Sequence, residues 1–172
     1  NITVQFLGTS SAIPTKLRNH SGIFVSLGSE NILVDCGENI QRQFHIANLS
    51  PTIITKILIT HWHGDHILGL PGLLQTLAMK NYAKTLNLYG PKGSKRHFHN
   101  ILELLNGLNI NIEVHEIESG AFFNTKDLIL EAQSMNHGTP TLAYSLSFKD
   151  QRRLDKSKLK KLKLPNSPLI RS

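Results

Sequence analysis

The sequence predicts an α/β layered domain, and three observations carry that prediction. Short apolar, β-branched runs alternate with segments of helical period. Clusters of Gly, Pro, Ser and Asn punctuate them. The densest group of metal-type side chains falls where an apolar run gives way to a turn. At 172 residues with 40% hydrophobic side chains, the chain is long enough to bury one core.

Residues 2–7 mix apolar and β-branched side chains and stop at Gly8-Thr9-Ser10-Ser11. Two further runs, 22–27 and 31–34, are separated by Gly28-Ser29, so the opening third reads as a β-meander. Pro14-Thr15-Lys16-Leu17-Arg18-Asn19 has no apolar period and is expected to be an exposed loop offering two cations and an amide to a ligand. Residues 41–47 fit a short helix ending near Ser50-Pro51, because the residue before a proline is driven out of helical geometry. Residues 56–60 read as a buried strand that delivers the chain to His61. Apolar residues at 70, 73, 74, 77 and 78 predict a helix over 69–79 with one buried face. A strand at 86–89 stops at Gly90-Pro91, an amphipathic helix covers 95–105, and strands follow at 110–117 and 128–135. Directly after the last comes Asn136-His137-Gly138-Thr139-Pro140.

The segment Thr60-His61-Trp62-His63-Gly64-Asp65-His66 places three imidazoles and a carboxylate within six residues, the borderline-soft donors that suit zinc. His61 and His63, two apart in extended chain, project to one side and can share an ion. Gly64 is expected to supply backbone freedom for a tight turn, after which Asp65 and His66 can face a second ion. His137, at another strand end, completes a three-imidazole set. His20, His45, His97, His99 and His115 lack ligand spacing with this group and read as surface or structural histidines.

The formal net charge is +7, concentrated near the end of the chain. Lys149, Arg152, Arg153, Lys156, Lys158, Lys160, Lys161 and Lys163 face only Asp150 and Asp155, a local +6 on an otherwise near-neutral protein. A basic arm on a neutral body fits a polyanion, whose counterions are released on binding; a solvated tail is the alternative. No apolar run approaches the length of a spanning helix, and the N-terminus lacks a signal-peptide profile, so a cytoplasmic protein with no membrane partner is expected. The one cysteine, Cys36, has no intrachain disulfide partner and sits in an apolar stretch.

Taken in order, Phe6-Leu7-Gly8-Thr9-Ser10, the Pro14 to Asn19 loop, Asp35-Cys36-Gly37-Glu38, Gln41-Arg42-Gln43-Phe44, the histidine segment, Gly69-Leu70-Pro71-Gly72-Leu73-Leu74, Leu88-Tyr89-Gly90-Pro91 and the His137 segment resemble the short form of tRNase Z. That family comprises tRNA 3′-processing endoribonucleases of the metallo-β-lactamase superfamily. The resemblance implies an αββα sandwich, of which this chain would represent the N-terminal half to two-thirds, with a domain over 1–148 and a flexible tRNA-binding arm beginning at 149–172. It implies two Zn²⁺ ions, with Mn²⁺ as a possible substitute: one held by His61, His63 and His137, the other contributed to by Asp65 and His66, with Asp35 orienting ligands from behind. It further implies that Lys16, Arg18 and Asn19 approach the RNA near the cleavage point, and that Arg152, Arg153, Lys156, Lys158, Lys160, Lys161 and Lys163 grip precursor tRNA, commonly within a homodimer. Asp65 would act as proton acceptor or solely as ligand.

Two departures from the family pattern stand out: Asn39-Ile40 follows Gly37-Glu38 where Gly-Thr is usual, and Trp62 separates the first two histidines where a smaller apolar residue is usual. The family's later bridging aspartate, last zinc histidine and His-Glu-Ala-Thr loop have no counterpart before Ser172, so an isolated chain of this extent is expected to hold the second metal weakly and to have little activity. A hydrolase of small esters, sulfates or cyclic phosphodiesters, and a non-catalytic RNA-binding fragment, are the other two function classes compatible with the residues.

Overall fold

The computed structural model describes residues 2–149 and Lys161. The predicted meander is present: β1 (Ile2–Gly8), β2 (Gly22–Leu27) and β3 (Glu30–Val34) are joined antiparallel. Beyond β3 the chain alternates strand and helix, and β4 (Lys56–Leu58), β5 (Leu86–Gly90) and β6 (Ile112–Glu116) add in parallel to complete a six-stranded sheet in sequence order. Helices α1 (Ile40–Ile46), α3 (Leu70–Met79) and α4 (Ser94–Leu104) are the crossover elements expected from the helical periods. A one-turn helix α2 (Gly64–Ile67) lies between β4 and α3.

Four elements escape the sequence reading: a single 3-10 turn at Pro51–Ile53, α2, β7 (Gly120–Asn124) and β9 (Thr141–Phe148). With β8 (Leu128–Met135), β7 and β9 form a second, antiparallel three-stranded sheet. Strand alternation sorts the core into two layers. Leu33, Ile57, Leu86 and Leu88 face the helices, meeting Phe44, Leu70, Leu73, Leu77 and Phe98. Ile32, Leu58 and Tyr89 face the second sheet, meeting Leu128 and Leu130. The described residues thus form helix, sheet and sheet layers. The residues expected to form the basic arm, other than Lys149 and Lys161, lie outside the described residues.

Candidate metal centre

The parallel strands β3 and β4 end side by side, and the site is built from the loops leaving them. At the end of β3, Asp35 adopts a left-handed backbone (φ 59°), which aspartate tolerates better than most side chains. Its N–H donates to the Leu58 carbonyl of β4, which ties the two strand ends together. The next residues pack backbone to backbone against the histidine segment: Cys36 N–H donates to His66 O at 2.7 Å, and Gly69 N–H donates to Cys36 O at 2.9 Å. Glycines make that approach possible. A Cβ on Gly69 would lie 2.0 Å from the Gly37 carbonyl oxygen, and one on Gly37 would lie 2.6 Å from the Asp65 carbonyl oxygen.

The turn after His63 is made differently from the sequence expectation. Gly64 is not among the left-handed glycines; it is the first residue of α2, with His63 extended before it (φ −73°, ψ 150°). An ordinary helix start, rather than a glycine-only conformation, turns Asp65 and His66 back towards the strand ends.

Ligand atoms of His61, His63 and His137 lie within 4.8 Å of one another, and no other group of three or more His, Cys, Asp or Glu side chains among the described residues has this metal-type spacing. His61 is buried, whereas His63 and His137 are exposed. His137 arrives from the second sheet. β8 and β9 pair in unbroken register as far as Met135 and Thr141, and residues 136–140 close the hairpin with Gly138 at φ +72°. β9 is docked on the histidine segment by Leu142 N–H donating to Thr60 O (2.9 Å) and by the Tyr144 hydroxyl donating to Ile59 O (2.7 Å). Burial pushes the Tyr144 phenol well above its ordinary pKa, with the Asp35 charge adding to the effect, so it stays a neutral donor.

Behind the imidazoles stands a wall centred on the buried Asp35, with Thr60 and His66 half-buried around it. Asp35 Oδ1 accepts the Thr60 N–H at 2.8 Å, the Thr60 hydroxyl lies 3.0 Å from both Asp35 oxygens, and Asp35 Oδ2 meets His66 Nδ1 at 2.7 Å. Thr60 Oγ1 in turn lies 3.0 Å from His61 Nδ1. With Nδ1 of both rings engaged in the wall, Nε2 of each is left to face outward. Asp65 Oδ2 is 3.4 Å from His66 Nε2, so Asp65 and His66 form a pair beside the trio.

The electrostatics favour a neutral nitrogen donor at His61. Burial pushes the His61 pKa down to about 4, helped by the neighbouring imidazoles and opposed by Asp35. For His66 burial also opposes the charge, but the hydrogen bond and charge of Asp35 and the charge of Asp65 outweigh it and raise the pKa. A buried imidazole that resists protonation beside two exposed ones at metal-ligand spacing fits a divalent, imidazole-preferring cation.

Lys16, Arg18, His20, Glu38, Arg42 and Ile46 line an open cleft of about 540 Å³ that includes none of the candidate ligands; Gly37, packed between His20 and the Asp65 carbonyl, links the two regions. Lys16 and Arg18 are exposed, as expected for the loop. Asn19 differs from them: its amide donates to the carbonyls of Glu38 (2.7 Å) and His20 (3.3 Å), tying the loop to the segment after Asp35. Thr60, Tyr144 and Arg42 are site-shaping residues that sequence reasoning does not single out. The only signal was adjacency for Thr60, the Leu142, Tyr144, Leu146 alternation for Tyr144, and a matching motif for Arg42.

A family model described as Anti-Pycsar protein Apyc1 matches residues 2–157. Ribonuclease Z of Methanocaldococcus jannaschii is 42% identical over 167 residues, 95% of this chain and 53% of that protein. Ribonuclease Z of Nanoarchaeum equitans is 41% identical over 97% of this chain and 53% of that protein. The chain therefore spans about half the length of the curated relatives it matches. Among solved structures, human short-form tRNase Z superposes with a TM-score of 0.77 at 30% identity, over 84% of this chain and 64% of that one. The metallo-β-lactamase fold protein YhfI of Bacillus subtilis shares the fold at 16% identity, with a TM-score of 0.71 over 85% of this chain and 57% of that one. The resemblance read from the motifs is thus borne out, since the chain has the metallo-β-lactamase fold and is a homologue of ribonuclease Z; by its family match, which the motifs did not foretell, it belongs to the family described as Anti-Pycsar protein Apyc1.

Proposed function

We propose that the protein is a zinc-dependent endoribonuclease that removes the 3′ trailer from precursor tRNA, leaving a tRNA 3′-hydroxyl and a trailer with a 5′-phosphate. The observation that carries this reading is the convergence of His61, His63 and His137 at metal-ligand spacing, in a chain about 40% identical to proteins named ribonuclease Z. In this reading the three histidines hold one Zn²⁺, and Asp65 with His66 contribute to a second, with Mn²⁺ able to substitute. Bound there, the cations supply the Lewis acidity that lowers the pKa of a water and offsets charge developing on phosphorus.

The protein's own groups do the remaining work. Asp35 and Thr60 engage Nδ1 of the His66 and His61 rings and so leave Nε2 of each for its own cation. Asp65, in the first turn of α2, orients the attacking water or takes its proton. Lys16 and Arg18 neutralise the phosphate approaching from the cleft, and Asn19 fixes the loop that carries them. Precursor tRNA as substrate, the arm from Arg152 to Lys163 as its grip, a homodimer that presents tRNA between subunits, and a cytoplasmic location complete the proposal. No described helix is long and apolar enough to cross a membrane.

The test is cleavage of a precursor tRNA carrying a 3′ trailer, with zinc or manganese, by the full chain and by its His63→Ala variant. Cutting at the discriminator base by the parent protein and its loss in the variant is the expected result. A metal-loaded, full-length protein that leaves this RNA intact would sink the reading. A second reading, hydrolysis of small phosphodiesters, is compatible with the same three-histidine group. Under that reading, activity on a small phosphodiester would be insensitive to competing tRNA. Under ours, tRNA competes, with a steep salt dependence.

A further inference from the structure

The wall behind the histidines gives Asp35, Thr60 and His66 a function but leaves one side chain of the segment unexplained. Trp62, the only tryptophan of the chain, lies between His61 and His63. In extended chain, neighbouring side chains leave on opposite sides, so the two histidines enter the cluster and Trp62 points away from it, packing on the main core. Its surroundings are directional. The indole Nε1–H donates to Ser94 Oγ at 2.7 Å, and the Ser94 hydroxyl, fully buried, donates to the Pro91 carbonyl at 2.6 Å. One turn further along α4, His97 stacks on the indole, with centroids 5.0 Å apart and planes 20° from parallel.

That end of α4 is itself fixed. Glu116, at the last position of β6, accepts the N–H groups of Gly93 and Lys95 at 3.0 Å each and satisfies the amides that a helix start leaves open. Gly90 keeps room for the arrangement, because a Cβ there would lie 2.4 Å from Ser94 Oγ and 3.6 Å from Ile59 Cβ. Hydrogen bonds therefore run from β6 through the first turn of α4 to the residue between two candidate ligands.

An apolar side chain of similar size would fill the same space without setting a ring direction. A hydrogen bond at one edge and a stack on one face together leave the indole a single orientation, and the backbone of residue 62 with it.

We infer that Trp62 is a positioning residue: held by Ser94 and His97, it sets the separation and aim of His61 and His63 towards a shared divalent cation. The affinity of the site for metal then depends on how α4 is docked. This inference rests on the metal-binding reading above.

The experiment measures Zn²⁺ affinity of the full chain by competition with a chromophoric chelator and records the visible spectrum of the Co²⁺ form. It compares the parent protein with Trp62→Phe, Trp62→Ala and Ser94→Ala, and follows thermal unfolding of each metal-free protein. Trp62→Ala is expected to weaken Zn²⁺ binding by about 10- to 100-fold, the range for residues that orient ligands. Ser94→Ala, which keeps the indole but removes its anchor, and Trp62→Phe, which keeps a ring for His97, are expected to fall between it and the parent, with an altered Co²⁺ spectrum. Should Trp62→Ala not fold, these two carry the test. Variants with parental Zn²⁺ affinity and an unchanged Co²⁺ spectrum, even if they melt earlier, would reduce Trp62 to packing and overturn the inference. A parent protein that takes up no Zn²⁺ would instead overturn the metal reading beneath it.

Discussion

The back and the front of the histidine cluster are held by different means. Behind it, Asp35, Thr60, His61 and His66 are linked by contacts of 2.7 to 3.0 Å, and Asp35 and His61 are only 4% and 6% exposed. In front, His63 and His137 are exposed, and so are Lys16 and Arg18 on the adjoining loop. The wall's geometry belongs to the folded protein before any ligand arrives, because its partners are bonded to one another. The rim stays accessible, as the proposed RNA substrate would require. Mutations in the wall should therefore cost stability and metal affinity together, whereas mutations on the rim should cost function alone.

The largest separation is expected at His63. Replacing this exposed ring by alanine should change the stability of the metal-free fold by no more than about 0.5 kcal/mol, the usual range for surface positions. It should nevertheless reduce the proposed trailer cleavage by at least about a thousandfold, because one of three imidazole donors is gone. Urea unfolding of the metal-free variant and single-turnover cleavage measure the two sides. Comparable losses in both would erase the distinction between wall and rim.

Asp35→Ala should give the opposite profile. It strands the Thr60 N–H and the His66 ring behind the site, at about 1–3 kcal/mol for an unsatisfied buried group, and places alanine at φ 59°. Zn²⁺ affinity should fall by about 10- to 100-fold. Asp35→Asn, which tolerates the same backbone, should recover part of the stability. Equal stability of the two variants would show that the left-handed backbone is not part of the cost.

Much of this contrast was hidden from the sequence for a physical reason. The ligand side was legible: three imidazoles at strand-end spacing identify a cation site locally, and the periods read over 69–79 and 95–105 locate, to within a residue, the helices Leu70–Met79 and Ser94–Leu104. The wall depends on partners far apart in the chain. Thr60 meets Asp35 across 25 residues, and Tyr144 reaches Ile59 across 85. β9 carried its alternation in plain view, yet only its docking on Thr60 gives Tyr144 a purpose. α2, at four residues, is shorter than any periodicity can resolve, which is why a helix start was read as a glycine turn.

Acidity probes the wall from within, in the metal-free protein. His61 should titrate at about pH 4 by NMR, and His66 above the ordinary histidine value. An unfolded chain protonates His61 near pH 6.5, so between 6.5 and about 4 the unfolded state binds more protons, and stability should fall as the pH is lowered through that window. His66 acts with the opposite sign. Its contribution is fully present below about pH 6.5 and is lost as the pH rises through its higher folded value. Replacing His61 should flatten the acid limb of the stability profile, and replacing His66 the limb above pH 6.5. A His61 that titrates near 6.5 would mean that the wall does not enclose it.

Removing the Tyr144 hydroxyl should cost about 1 kcal/mol, the net value of one hydrogen bond, since Tyr144→Phe keeps the ring between the sheets. The loosened hairpin should also weaken Zn²⁺ binding through His137, by a few-fold at most. The same stability loss without any change in affinity would mean that the hairpin's other tie, from Leu142 to Thr60, is sufficient to hold His137 in place.

The smallest effects on the fold belong to the cationic loop, and they sharpen the comparison most directly. Lys16 and Arg18 are exposed and line the open cleft, so alanine at either should leave stability within about 0.5 kcal/mol of the parent and Zn²⁺ affinity unchanged. If each neutralises one phosphate, the salt dependence of tRNA binding should become shallower by about one counterion per side chain removed, and binding should weaken with little regard to sequence. Asn19→Ala separates the loop's shape from its charge. It removes the amide that ties the loop to Glu38 and His20, leaves the cations in place, and should weaken binding without altering the salt slope. A slope unchanged in Lys16→Ala and Arg18→Ala would remove both residues from the phosphate path and leave the rim's function to the histidines alone.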